Sequence, residues 1–247
     1  MLFRSNIETE WGTVFEPEQI ADAIRAHQPR FVALVHGDTS TTMAQPLDEI
    51  GPLCHEAGTV VYVDATATLG GMPIEVDKWC LDAVTAGLQK CLSGPPGCSP
   101  LTINDRVAEI VNARKHVEAG IRSEDFSDAD GLIVQSNYFD LAMLMDYWSS
   151  KRLNHHTEAT TMLYAAHTCA QEVLREGLEA GFARHRIASQ ALRLSTNPLF
   201  HFHWCHVTDR HDSYFLASSR LPSFHSCFPP IVHFLDKILS IIFDCNT

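Results

Sequence analysis

Two residues near the middle of the chain could carry chemistry together: Asp64 and Lys90, 26 positions apart. A carboxylate and a primary amine in one site can hold pyridoxal phosphate. The amine forms a Schiff base with the cofactor's carbonyl, and the acid keeps its pyridine nitrogen protonated. The same two residue types also serve as a helix-capping aspartate and a surface lysine, so position has to separate the readings. Val60-Val61-Tyr62-Val63 is an apolar, largely β-branched run that reads as a buried parallel strand, with Asp64 at its carboxyl end. Leu81 to Leu88 reads as the next buried strand, ending on Gln89 and Lys90. Ligands of open α/β sheets bind outside the carboxyl ends of the strands, where both residues would then lie.

The elements around this pair alternate. Glu16 to His27 has the apolar spacing of a helix through Ile20, Ala23 and Ile24, with Pro17 suited to its first turn. Phe31 to Val35 is a short buried strand that ends on His36-Gly37-Asp38-Thr39. Leu47 to Ala57 is a helix by its Leu47, Ile50, Leu53, Cys54 and Ala57 spacing, capped by Gly58 and either kinked or delayed by Pro52. This β-α-β order implies a parallel sheet with a right-handed crossover. Beyond Lys90, Gly94-Pro95-Pro96-Gly97 makes a rigid turn, and Pro100 to Ile103 is a further strand. Asn104 or Asp105 caps a helix over Arg106 to Arg114, Glu118 to Gly131 is an acidic, irregular excursion, and Tyr138 to Trp148 is a buried helix.

Composition narrows the class. With 247 residues, 45% of them hydrophobic and 19% charged, the chain can build a substantial core. A formal net charge of −12 argues against nucleic acid as a partner. The 8 cysteines include no C-x-x-C pair, so a reduced, cytoplasmic setting is expected, with a peroxisomal one left open. Met1 to Asn6 lacks the apolar region of a signal peptide, and no apolar run has membrane-spanning length.

Five motifs follow one another in a telling order: His36-Gly37-Asp38-Thr39-Ser40-Thr41, Gln45-Pro46-Leu47-Asp48, Val63-Asp64-Ala65 with Leu69-Gly70-Gly71, Gly87-Leu88-Gln89-Lys90, and Gly94-Pro95-Pro96-Gly97. His36 and Asp64 are 28 residues apart. The order and the spacings resemble the class V (fold-type I) aminotransferases that use glyoxylate. The resemblance implies an α/β fold, the large domain of fold-type I pyridoxal-phosphate transferases, with a parallel-rich sheet flanked by helices. It also implies that Lys90 is the Schiff-base lysine and Asp64 the partner of the pyridine nitrogen. Thr39 and Gln89 would hydrogen-bond the cofactor ring and its surroundings.

A second constellation is Arg152-Leu153-Asn154-His155-His156-Thr157-Glu158, before a helix expected over Glu158 to Glu176 with Thr157 as its N-cap. Adjacent histidines point in different directions and lack a carboxylate at ligand spacing, so no metal is expected. A hydroxyl at a helix N-terminus suits a phosphate instead. By resemblance this segment crosses a homodimer interface, and Thr157 serves the cofactor phosphate of the partner subunit. Alanine–glyoxylate enzymes carry tyrosine where this chain has Asn154. Asn154 with His155 to Thr161, and the stretch Gln135 to Leu141, are similar to the (S)-ureidoglycine–glyoxylate aminotransferases. An asparagine offers a urea-like group both a donor and an acceptor. The expected reaction converts (S)-ureidoglycine and glyoxylate to oxalurate and glycine, in purine (allantoin) catabolism. An alanine or serine–glyoxylate aminotransferase and a truncated, non-catalytic fragment of the fold stand as the alternatives.

The resemblance runs from about Glu10 to about Leu192. Members of the family also have a glycine-rich phosphate turn and ring-stacking residues before this stretch, and after it a small domain with an arginine for the substrate carboxylate. These have no counterpart here, so residues 1–194 are expected to be an incomplete large domain that retains cofactor weakly and tends to aggregate. Residues 195–247 form an atypical tail with no Gly, Glu, Gln or Met but 6 of the 14 histidines and 7 of the 13 phenylalanines. That composition is expected of a frameshift or of translated non-coding sequence. His201 to His206 has the composition of a metal tract with nothing to order it, Ile231 to Phe243 could form a short apolar helix, and Arg210 and Arg220 receive no role.

Overall fold

The computed structural model describes residues 5–117, 122–128 and 131–196. Helix α1 (Pro17–His27) begins where the expected proline occupies its first position, and Gln19 Oε1 accepts from the Glu16 N–H at 2.8 Å. Its Ile20, Ala21 and Ile24 turn inward. Strand β1 (Phe31–Val35) follows, not buried as expected but with Phe31 and Val35 exposed, because it is the edge strand of the described sheet. Then comes a small antiparallel pair, β2 (Gly37–Asp38) with β3 (Met43–Ala44). Helix α2 (Ile50–Glu56) starts three residues later than the apolar spacing suggests, because Pro52 is tolerated in a first turn and not in a helix interior. Strand β4 (Val60–Asp64) runs parallel to β1 in a full five-residue register, Phe31 opposite Val60 through Val35 opposite Asp64.

Strand β5 (Ala83–Thr85) is parallel to β4, and β6 (Leu101–Ile103) is antiparallel to β5, giving the order β1-β4-β5-β6. The run Leu81 to Leu88 is therefore not one strand. After Thr85 the chain leaves the ladder, and Leu88 to Gly94 closes into a turn through Gly94 N–H to Leu88 O at 2.7 Å and Ser93 N–H to Lys90 O at 2.9 Å. Helix α3 (Asp105–Ala113) is capped by Asn104, whose side chain accepts from the Val107 N–H. Helix α4 (Leu141–Trp148) is shorter than expected because Asp140 caps it at the Ala142 and Met143 N–H groups. It is also less enclosed than expected, with Ala142 buried and Met145 exposed. Helix α5 (Thr160–Glu176) begins after an Ala159 cap, so Thr157 is not its N-cap. His156 Nε2 and Glu158 Oε1 meet at 3.0 Å in the segment before the helix. A further helix, α6 (Leu178–Thr196), was not expected from periodicity; Gly177, with φ of 84°, separates it from α5. The tail from residue 197 on, with its His-rich tract, apolar segment and two arginines, lies outside the described residues.

Three apolar clusters hold these layers. Ile20 and Ile24 of α1, Leu47, and Ile50 and Cys54 of α2 pack on Val61, Val63 and Val84 on one face of the sheet. Val107 of α3 packs on Val60 and Ala83 on the other. Ala166, Cys169 and Val173 of α5 cover Leu69, Ala86, Leu88 and Leu92 beyond the carboxyl ends of the strands. At the opposite end, the buried Asp82 carboxylate accepts from Val61 N–H at 2.7 Å and from Asn104 Nδ2 at 2.6 Å, joining β4, β5 and the start of α3. Among the described residues, no helix is long and apolar enough to cross a membrane.

One close approach links the core to the loops above it. A Cβ added to Gly51 of α2 would lie 1.7 Å from the Trp79 carbonyl oxygen. Gly51→Ala is therefore expected to cost about 3 kcal/mol or more, since backbone rather than a flexible side chain must yield. Urea unfolding measures the loss, and a midpoint within error of the unsubstituted protein would contradict the packing described here.

Candidate active site

The parallel strands β1 and β4 deliver His36 and Asp64 to the same end of the sheet, tied by the His36 N–H to Asp64 O bond at 2.9 Å. Asp64 is half-buried, and its Oδ1 accepts from the Thr66 N–H at 2.8 Å, which turns the chain away from the strand. Thr68, buried in the same turn, donates its hydroxyl to Ala65 O at 3.2 Å and sits 2.9 Å from His36 Nδ1. Burial pushes the His36 ring down to about 4, so it is neutral near pH 7. Trp79 meets it edge-on, with ring centroids 6.0 Å apart.

Lys90 is half-buried in the turn that follows β5. Lys78 pairs with Glu75, and Lys115 and Lys151 both pair with Asp146, whereas Lys90 makes no ion pair among the described residues. Its neighbour Cys91 donates its thiol to Ala67 O at 3.3 Å, which fastens the Lys90 turn to the loop that leaves Asp64. Burial raises the Cys91 thiol to about 11, against the lowering influence of Arg184 and Lys90, so it remains a donor. The Gln89 carboxamide folds back over Gly87. A Cβ there would come within 2.7 Å of Gln89 Oε1 and 3.0 Å of Thr66 Cγ2, so the missing side chain at 87 leaves a cradle between the Asp64 and Lys90 loops.

Thr39 is at the exposed tip of the β2–β3 connection. Asp38 fixes that tip by accepting from the Thr41 hydroxyl at 2.6 Å and from the Ser40 and Thr41 N–H groups, which hold its carboxyl below the usual range. Asn154 and Thr157 are exposed, on the stretch 152–159 that precedes α5, in which His155, His156 and Glu158 are half-buried. There Tyr138 stacks on His155 at 6.1 Å and Tyr147 packs on His156 at 5.2 Å, so both histidine rings are held in an aromatic cluster.

The structure thus assembles Asp64, Gln89 and Lys90 around one end of the sheet, with Thr39 on the hairpin beside His36. The donor set fits pyridoxal phosphate: a carboxylate for a ring nitrogen, an amine outside ion pairs for a carbonyl, and a carboxamide over a glycine cradle. Residue-by-residue reading did not identify Thr68 and Cys91 as supports. Thr68 left one trace, a hydroxyl within an otherwise apolar turn, which burial obliges to find a partner.

The family model for aminotransferase class-V matches residues 6–129. The chain is 51% identical over 190 residues to an (S)-ureidoglycine–glyoxylate transaminase of Bacillus subtilis (strain 168), covering 75% of this chain and 45% of that protein. It is 31% identical over 184 residues to an alanine–glyoxylate aminotransferase of Oryctolagus cuniculus, covering 73% of this chain and 43% of the other. The crystal structure of ureidoglycine–glyoxylate aminotransferase from Bacillus subtilis superposes with a TM-score of 0.68 at 48% identity, over 77% of this chain and 45% of that one. That of alanine–glyoxylate aminotransferase from Nostoc sp. gives 0.65 at 34%, over 77% and 46%. The chain spans less than half the length of each of these proteins.

Proposed function

This chain belongs to the class-V aminotransferase family, and from that premise we propose that it transfers the amino group of (S)-ureidoglycine to glyoxylate, yielding oxalurate and glycine in purine breakdown. The observation that carries the choice of donor is the 51% identity to a ureidoglycine–glyoxylate transaminase, against 31% to an alanine–glyoxylate enzyme. Asn154 agrees with it, because its amide can both donate to and accept from a urea group.

Pyridoxal 5′-phosphate, when bound, supplies an electron-accepting ring and a carbonyl that condenses with amines. Lys90 would hold that carbonyl through its amine, and its free amine would serve as the general base toward the substrate α-carbon. Asp64, whose carboxylate accepts from the Thr66 N–H, would keep the proton on the ring nitrogen. Gln89 and Thr39 would supply hydrogen bonds to the ring and its surroundings. The active form is proposed to be a homodimer in which the segment before α5 reaches the neighbouring site. There Thr157 would contact the phosphate, and Asn154 the urea group of the donor. The cytoplasm is the proposed compartment.

Asn154→Tyr tests the donor. The variant is expected to lower kcat/KM for ureidoglycine relative to alanine by roughly 10- to 100-fold, since a site built to pair a polar group discriminates sharply once that partner is removed. An unchanged ratio would remove Asn154 from substrate choice.

A further inference from the structure

We propose that His36, with its proton on Nδ1, is a positioning residue that aims the Asp64 carboxylate into the site. The proposal rests on the cofactor reading above for what the carboxylate meets. Its geometry rests on the fold alone. His36 holds the Asp64 turn at two points: its main-chain N–H binds Asp64 O at 2.9 Å, and its Nδ1 meets Thr68 Oγ1 at 2.9 Å, four residues further on. The Thr68 hydroxyl has Ala65 O as an acceptor at 3.2 Å; donated there, it accepts from the ring, which is the arrangement that puts the hydrogen on Nδ1. Between these two points lies the Thr66 N–H that fixes the Asp64 carboxylate. His36 is itself held in place, by Gln45 N–H to its carbonyl at 2.8 Å and by the edge of Trp79. His36 and Thr68 are 2% and 0% exposed, so no water can replace the ring's donated hydrogen bond.

The shapes of two amides separate this role from mere filling of space. An asparagine at 36 places its NH₂ close to Nδ1, and a glutamine reaches toward Nε2 instead. In the full 247-residue chain, His36→Asn is expected to keep cofactor affinity within about threefold, whereas His36→Gln weakens it roughly tenfold, the scale of one lost buried hydrogen bond. The pH midpoint of the visible cofactor band should move with His36→Gln and stay in place with His36→Asn. Thr68→Val removes the acceptor together with the hydroxyl's own bond to Ala65 O, so it should weaken affinity at least as much as His36→Gln. Combining it with His36→Gln should add little to the effect of Thr68→Val alone. It also carries the test if His36→Gln fails to fold. Independently of cofactor, ¹⁵N NMR of labelled histidine should show His36 protonated on Nδ1 and bare on Nε2.

A proton on Nε2 would overturn the proposal. So would a His36→Gln protein whose melting temperature alone changes, with affinity and band midpoint as in the unsubstituted chain. An unsubstituted chain that forms no lysine-linked band at saturating pyridoxal phosphate would instead overturn the proposed function, and with it the role of His36 toward the cofactor.

Discussion

Lys90→Ala is expected to abolish borohydride trapping of pyridoxal phosphate on this chain and to remove the associated visible absorbance. The trapped group in the unsubstituted protein should map to the peptide containing Lys90. The reason is geometric and electrostatic. A lysine can condense with a carbonyl only if its amine is available, and Lys78, Lys115 and Lys151 are each engaged with carboxylates. Lys90 makes no ion pair among the described residues and sits beside the Asp64 loop through the Cys91 to Ala67 bond. Because Lys90 is also the proposed base, transamination should fall by at least about 10²–10⁴-fold, the usual contribution of a positioned acid–base group. Recovery of the label on Lys78 or Lys115 would show that a different lysine carries the cofactor.

Asp64→Asn should produce a different failure. Asparagine has nearly the same shape, and its carbonyl can still accept from the Thr66 N–H, so the turn should survive and Lys90 should still be trapped. The charge that holds a proton on the ring nitrogen is lost, however. Single-turnover proton abstraction is expected to slow by about 10²–10³, in line with removal of one preorganised electrostatic partner. A rate equal to that of the unsubstituted protein, with trapping intact, would take Asp64 out of the mechanism.

Strands β1 and β4 were legible almost to the residue, because each is a compact apolar run. Burial could be read correctly only for β4, since β1 leaves Phe31 and Val35 more than half exposed. The third run misled. Ala86 and Leu88 are as apolar as a strand requires, yet α5, distant in sequence, is what buries them. Periodicity reports that a residue will be buried and not by what. Similarly, Thr157 has the chemistry of a cap, but the helix starts at Thr160 after Ala159, and residue type alone does not fix which residue begins the first turn. Asp64 and Lys90 could be picked out because their chemistry is carried by residue type. Thr68 and Cys91 could not, since their importance lies in partners 32 and 24 residues away.

Asp82 has a consequence for how such a protein can diverge. Its carboxylate and main chain together bind Val61 and Asn104 at the end of the sheet remote from Lys90. A one-residue slip of β5 against β4 would exchange the two faces of the strand and leave a buried charge without its donors. That double penalty guards the ladder against drift, so insertions and substitutions in the loops at the other end can accumulate without shifting it. Changes of amino donor during descent are therefore expected to be written in those loops, while the anchored end keeps every variant in the same frame.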